Sequence, residues 1–271
     1  MSRGQNLYSN LYSIIYYNNE RRLNKMNVSY ANLINDHTLN IFTDASILQK
    51  EYNDIGMSVS SPGAQIYLGD QLKDTIIQVL PDCTNNEGEI TAIQLGLYLA
   101  VKWRAMLPQV DNINLFSDSK ISLLGLRDWS FSWVKQEKQG IIYGSGGPVK
   151  NQLHFIDAIQ YIIANDLRIN LYHVRGHMKA INFTNVVKFR NTFRKENHLS
   201  YIPDDHIVNF LIKGNNSIDD ATRRQLSFAK IYLPEGAVAR QDSYTPLFNW
   251  HGLILSLDMN KYAYLIGGFK D

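Results

Sequence analysis

Three observations predict an α/β fold, a mixed five-stranded sheet in the order βββαβαβα with helices on both of its faces. Three strand candidates follow one another through short turn signals. A long run at helical spacing comes next, and strand and helix patterns then alternate to about residue 174. The first strand candidate is Leu39-Asn40-Ile41-Phe42-Thr43, followed by Ile55-Gly56-Met57-Ser58-Val59 and Thr75-Ile76-Ile77-Gln78-Val79. Pro62-Gly63 and Leu68-Gly69-Asp70 read as the turns of an antiparallel meander. Ile90, Ile93, Leu97, Val101 and Trp103-Arg104-Ala105 keep helical spacing until Pro108 closes the element. Ile113–Phe116 then reads as a strand, Ile121–Trp129 and Leu153–Asn165 as helices, and Arg168–Val174 as a strand.

The flanks are different. Residues 1–37 are rich in Tyr and Asn without a clear period and read as an N-terminal extension. Residues 178–213 are polar and basic, carrying Lys179, Lys188, Arg190, Arg194, Lys195 and Lys213, and read as an insertion within a catalytic unit spanning 38–230. From 231 to 271, Tyr232, Leu233, Leu253, Ile254, Leu255, Tyr262, Tyr264, Leu265 and Ile266 suggest an added β-rich extension, a hairpin or small sheet.

A 271-residue chain that is 45% hydrophobic and 19% charged has the composition of a globular protein rather than a disordered one. Its net charge of +2 is nearly balanced, so any basic surface must be local. The single cysteine, Cys83, excludes an internal disulfide and a multi-cysteine zinc site, and reads as a small buried hydrophobe. No apolar stretch approaches the roughly 18 residues of a membrane span. The first residues lack the apolar core of a secretion signal, so a cytoplasmic location is expected.

Four acids in short motifs point to chemistry: Asp44 in Phe-Thr-Asp-Ala-Ser, Glu89 in Thr-Asn-Asn-Glu-Gly-Glu, Asp118 in Phe-Ser-Asp-Ser-Lys, and Asp219 in Gly-Asn-Asn-Ser-Ile-Asp. Asp44 and Asp118 end strand candidates, which places them side by side if those strands are neighbours. Glu89 falls at a helix start after the capping chemistry of Thr84-Asn85-Asn86, and Asp219 at another with Ser217 as its N-cap. Carboxylates gathered at one sheet edge repel unless cations neutralise them, so the set suggests divalent metals and phosphate chemistry. Alone, each acid would be an ordinary turn or cap residue.

These motifs resemble those of the type 1 ribonuclease H family over about residues 39–230. Thr84-Asn85-Asn86 before Glu89, Asp118-Ser119-Lys120, Gly125, Trp129 and Trp133, Pro148-Val149-Lys150-Asn151, Val174-Arg175-Gly176-His177, and Gly214-Asn215 before Asp219 carry the resemblance. It implies hydrolysis of the RNA strand of an RNA–DNA hybrid with two Mg2+ ions, Mn2+ being a plausible substitute. Asp44, Glu89, Asp118 and Asp219 would be the ligands, and His177 a mobile proton carrier. It further implies that Asn85 and Asn86 read the minor groove, that Thr84 and Asn151 grip a DNA-strand phosphate, and that Ser119, Trp133 and Lys150 also touch the substrate. The segment from Trp129 to Lys150 resembles the family's basic protrusion with fewer charges, and Trp129 itself is expected in the core. Two departures stand out: the stretch from His177 to Asp219 is long, and Asp220 competes with Asp219 as fourth ligand. A 3′–5′ exonuclease of related fold would carry an acid where Ser46 stands, and an integrase relative would place its glutamate last. A non-catalytic hybrid-binding module is the remaining alternative.

Overall fold

The computed structural model describes residues 33–49, 57–176, 178, 183–232 and 257–267. The strands are β1 (Thr38–Leu48), β2 (Val59–Leu68), β3 (Gln71–Ile77), the short β4 (Leu80–Pro81), β5 (Asn112–Ser117), the small hairpin β6 (Tyr143–Gly144) and β7 (Gly147–Pro148), and β8 (Asn170–His173). The helices are α1 (Asn85–Met106), α2 (Lys120–Leu124), a π turn at Gly125–Trp129, α3 (Ser130–Lys135), α4 (Gln152–Ala164), α5 (Phe183–Glu196), α6 (Asp205–Tyr232) and α7 (Met259–Leu265). The main sheet runs β3-β2-β1-β5-β8, with β4 also pairing β2. β1 is antiparallel to β2 and parallel to β5, which is parallel to β8. The mixed α/β sheet predicted from sequence is therefore present, in the predicted order.

Alternation along β1 divides the core into two layers. Leu39 and Ile41 pack with Ile90, Ile93 and Leu97 of α1 and Ile159 of α4. Phe42 faces the other way, stacked on Phe116 at 4.9 Å and packed with Phe189, Phe210 and Leu211 of α5 and α6. The stretch read as an insertion thus supplies most of the second core layer. In α5, Val186, Phe189 and Phe193 keep the i, i+3, i+7 period of a buried face, with basic residues on the rest of the surface. The polar composition concealed that period.

Other expectations change as well. Pro62-Gly63 is not a turn: β2 passes through it, and Pro62 sits just beyond the last β2–β3 pair, Gly63 with Ile77. Proline is tolerated there because no β3 partner requires its missing N–H. A Cβ on Gly63 would lie 2.9 Å from Thr222 of α6, so this glycine admits a helix rather than a bend. Of the second strand candidate only Val59 is in a strand, while 55 and 56 lie outside the described residues. The turn expected at Leu68-Gly69-Asp70 does join β2 to β3, with Gly69 at φ 59°. In the described part of the C-terminal extension a helix stands where a hairpin or small sheet was expected. Tyr262, Leu265 and Ile266 are equally spaced i, i+3, i+4, and α7 forms there. Buried Tyr262 donates its hydroxyl to the Leu126 carbonyl at 3.0 Å, where Ser130 Oγ also donates at 2.9 Å. The alternating residues between 233 and 256, and the extension before Leu33, lie outside the described residues.

A row of asparagines fixes the parallel register. Asn40, Asn114 and Asn170 are cross-strand neighbours on β1, β5 and β8. Asn114 Nδ2 donates to Asn40 Oδ1 and Asn170 Nδ2 to Asn114 Oδ1, both at 3.0 Å. Asn40 Nδ2 closes the row on the Leu33 and Gly69 carbonyls. Asn40 and Asn114 are fully buried, so slipping one strand would leave amides without partners at about 1–3 kcal/mol each. Asn114→Leu is expected to destabilise the protein by about 2–3 kcal/mol, read as a lower urea midpoint at unchanged m-value.

Candidate active site

The last parallel pair between β1 and β5 is Thr43 with Ser117, so Asp44 and Asp118 are the next residues on adjacent strands. They are side by side as expected, although β1 continues to Leu48 and Asp44 lies within it rather than at its end. Thr84 caps α1: its hydroxyl accepts from Glu87 N–H, and the Glu87 carboxylate accepts from Thr84 N–H at 2.9 Å. The helix therefore begins before Glu89, which sits in its second turn, buried and pointing at the strand ends. Its neighbour Gly88 is packed so close to β2 that a Cβ would overlap Ser60 Oγ.

Asp219 arrives differently from the sequence reading. Gly214-Asn215-Asn216-Ser217 does not break the chain; it lies in the middle of α6, and Ser217 caps nothing. Gly214 is there because a Cβ would come within 2.4 Å of the Phe42 ring. The close approach outweighs the roughly 1 kcal/mol helix cost of glycine. Asp219, Arg223, Leu226 and Ser227, at helical spacing, line the cleft, whereas Asp220 is exposed and does not. Of the two aspartates, Asp219 is therefore the one on the cleft wall with the other acids.

All four acids line one cleft of about 860 Å³, together with Asn85, Asn86, Ser119, Lys120 and Gly176. Asp44, Glu89 and Asp118 each present an oxygen with all three within 4.8 Å of one another. Burial, then Asp118 and Asp219, push the Asp44 carboxyl up to about 8, against the opposing Ala45 N–H. A hydrogen bond to Asp219 also favours its protonated form. Burial pushes Glu89 well above the usual carboxylate range, with Asp44, Asp118 and Asp219 adding to it. Glu89 Oε2 is buried with no hydrogen-bond partner. An orphaned carboxylate oxygen beside two more acids fits a hard divalent cation, whose charge would return these groups to their ionised forms.

Sequence reasoning missed two features here. Arg223 pairs with Asp219 at 2.8 Å, a contact that i, i+4 spacing could have revealed. The other is an anchor under the Asp118 loop: His173 Nε2 lies 3.2 Å from the Asp118 carbonyl and Nδ1 2.5 Å from Glu196 Oε2. Glu196 also reaches Lys120 at 3.5 Å, and Asn197 exchanges hydrogen bonds with the His173 backbone. These partners are over 20 residues from His173, so local pattern could not find them.

The remaining predicted residues divide. Asn85, Asn86 and Ser119 are on the cleft wall. Thr84 has its side chain committed to the cap. Trp133 packs edge-on against Phe155 at 5.2 Å, near Gly144 and Val149 of the β6–β7 hairpin. Lys150 is exposed on that hairpin's far side, and Asn151 precedes α4 in a left-handed conformation with φ 57°, so none of these three lines the cleft. Trp129, expected in the core, is 40% exposed beside Trp133. Cys83 is buried, as read from sequence. His177 lies outside the described residues.

Between the ordinary carboxylate value and about 8, folded Asp44 retains a proton that the unfolded chain has lost, so stability falls as pH rises through that window. Asp44→Asn is accordingly expected to raise the melting temperature in EDTA by a few degrees at pH 8 and by much less at pH 4.5, measured by calorimetry. Gly176 makes the other test: a Cβ there would sit 2.0 Å from Asp118 Oδ2. Gly176→Ala should weaken Mn2+ binding at least about tenfold by titration calorimetry while leaving the metal-free melting temperature within a few degrees.

Comparison with known proteins adds the following. A family model described as RNase H matches residues 36–187, which hold three of the four acids but end before Asp219. No curated protein matches the chain in sequence. Among solved structures, a foamy viral protease–reverse transcriptase in complex with RNA/DNA hybrid is 11% identical, with a TM-score of 0.41 over 60% of this chain and 20% of that one. The N-terminal RNase H domain of a Mycobacterium tuberculosis protein, fused to maltose-binding protein, is 17% identical over 70% of this chain and 98% of that one, with a TM-score of 0.38. LC11-RNase H1 in complex with RNA/DNA hybrid is 12% identical over 59% of this chain and 92% of that one, with a TM-score of 0.35.

Proposed function

The chain belongs to the RNase H family, and we propose that it is an endonuclease that hydrolyses the RNA strand of RNA–DNA hybrids, with divalent cations held by Asp44, Glu89, Asp118 and Asp219. The observation that carries this reading is the carboxylate group itself: three acids within 4.8 Å, Glu89 with an unpartnered buried oxygen, and Asp219 hydrogen-bonded to Asp44. Bound cations, Mg2+ by preference since the donors are hard oxygens, would ionise a water and neutralise charge at the scissile phosphate. The protein's own groups do the rest. The raised Asp44 and Glu89 carboxyls would give up their protons to bind a cation, so cation affinity is expected to rise with pH. Asp44 is central to the set, and its strand is clamped between β2 and β5.

Asn85 and Asn86, exposed on the first turn of α1, present amides that donate and accept, which suits recognition of the 2′-hydroxyl on the RNA strand. Ser119 and Lys120 also line the cleft, where Lys120 brings positive charge to the backbone. Trp133, Lys150 and Asn151, gathered around the β6–β7 hairpin, form a second contact patch away from the acids, whereas Thr84 has both its hydroxyl and its N–H engaged in the α1 cap. His177 follows Gly176 of the cleft wall, and its part is to carry a proton to the departing oxygen.

The test uses labelled RNA–DNA hybrid, double-stranded RNA and duplex DNA, each with Mg2+ or EDTA. Wild type should cut only the RNA strand of the hybrid and only with metal, and Asp44→Asn should lower the rate by at least about 100-fold. Tight hybrid binding without cleavage under Mg2+ or Mn2+ would remove the enzyme reading and leave a binding module.

A further inference from the structure

Charge in this chain is unevenly placed. Residues 175–200 hold six of the 27 lysines and arginines but one of the 25 acids, so this stretch is +5 and the remainder −3. The segment from Trp133 to Lys150, by contrast, has only Lys135, Lys138 and Lys150 against Glu137. Much of the basic stretch is α5. Its buried face is Val186, Phe189 and Phe193, and its exposed face carries Lys188, Asn191, Arg194 and Lys195. Arg190 is turned aside to pair with Asp205. Arg194 uses its Nε–H on the Leu199 carbonyl, which leaves the terminal amino groups of the guanidinium outward.

The position of this face gives it meaning. The helix ends at Glu196, which touches Lys120 on the cleft wall and His173 below the Asp118 loop. Arg175, exposed, leads from the same strand end to Gly176, again on the cleft wall. A row of cations therefore runs from the cleft rim onto α5. From Lys188 to Lys195 it extends about 10 Å along the helix axis, on the order of three nucleotide steps.

Building on the proposed activity, we propose that the exposed face of α5, with Lys188, Arg194 and Lys195 as its contacts, binds the phosphate backbone of the duplex beyond the cleft and supplies electrostatic grip that the weakly basic 133–150 segment lacks. The occupant is a nucleic-acid backbone because the described residues of the face are cations with Asn191 and Thr184, and none of them is a large apolar side chain that would seat a protein partner. Phosphate contacts position a duplex without reading its sequence, so this surface contributes affinity and not the choice of RNA over DNA.

The experiment measures hybrid binding on an Asp44→Asn background in EDTA from 50 to 300 mM salt. A triple variant, Lys188→Gln/Arg194→Gln/Lys195→Gln, is compared with Lys135→Gln/Lys138→Gln/Lys150→Gln, both checked for unchanged melting temperature. The α5 triple should lose about tenfold or more in affinity at low salt, and its slope of log K against log [salt] should be shallower by about 2–3. The loss should be similar for duplex DNA and double-stranded RNA, and the 133–150 triple should lose less. Unchanged affinity and slope in the α5 triple, with the parent binding normally, would overturn the proposal alone. Failure of the parent to bind hybrid at all would instead overturn the functional reading.

Discussion

Carboxylates held within 4.8 Å of one another in a buried cleft repel, and the rest of this fold is arranged to hold them there. In water such side chains would separate or be screened; here burial and mutual repulsion push the Asp44 and Glu89 carboxyls upward, toward their protonated forms. The acids come from four elements, β1, α1, the β5 end and α6, so no local motif can impose the arrangement. It has to be imposed by tertiary structure, and loosening any of those elements would let the group relax.

Several contacts bear on that task. The asparagine row fixes the relative height of β1, β5 and β8, and Asp44 and Asp118 each stand four residues after their own asparagine. A register error of two residues would separate the acids as well as strand the amides. Gly63 and Gly214 let α6 press against β1 and β2, which brings Asp219 within hydrogen-bond reach of Asp44. On the far side, Glu196 and His173 secure the loop that carries Asp118. The positive partner Arg223 balances Asp219, the acid arriving on a separate helix.

The chain order of strands and helices and the four acids were legible in the sequence because each depends on short signals: strand periodicity, a capping threonine, an acid at a strand end. What was hidden depends on close packing between distant segments. Gly63 read as part of a turn and the stretch after Gly214 as a helix start, whereas here each glycine makes room for a neighbour. Residues 183–196 read as an insertion because their charged positions outnumber Val186, Phe189 and Phe193, the residues that define the buried side. Pairings such as His173 with Glu196 leave no trace in either residue's surroundings. One signal was present and unused: aliphatic–Asn–aliphatic recurs in Leu39-Asn40-Ile41, Ile113-Asn114-Leu115 and Ile169-Asn170-Leu171, which announces both the parallel pairing and its register.

The position of Asp219 on α6, beyond the β8 strand and α5, has a consequence for the order in which the protein is made. A nascent chain that has emerged only through Gly176 carries Asp44, Glu89 and Asp118, yet the Phe42, Phe116 and Tyr172 side of its sheet still lacks the α5 and α6 residues, Val186, Phe189, Phe193, Phe210 and Leu211 among them, that pack there. The same docking event that buries those rings delivers the fourth acid. Chains leave the ribosome at about 5–20 residues per second, so completion of the centre trails the first three acids by seconds. Completion of the second core layer and of the carboxylate set is thus tied to the same helix in biosynthesis.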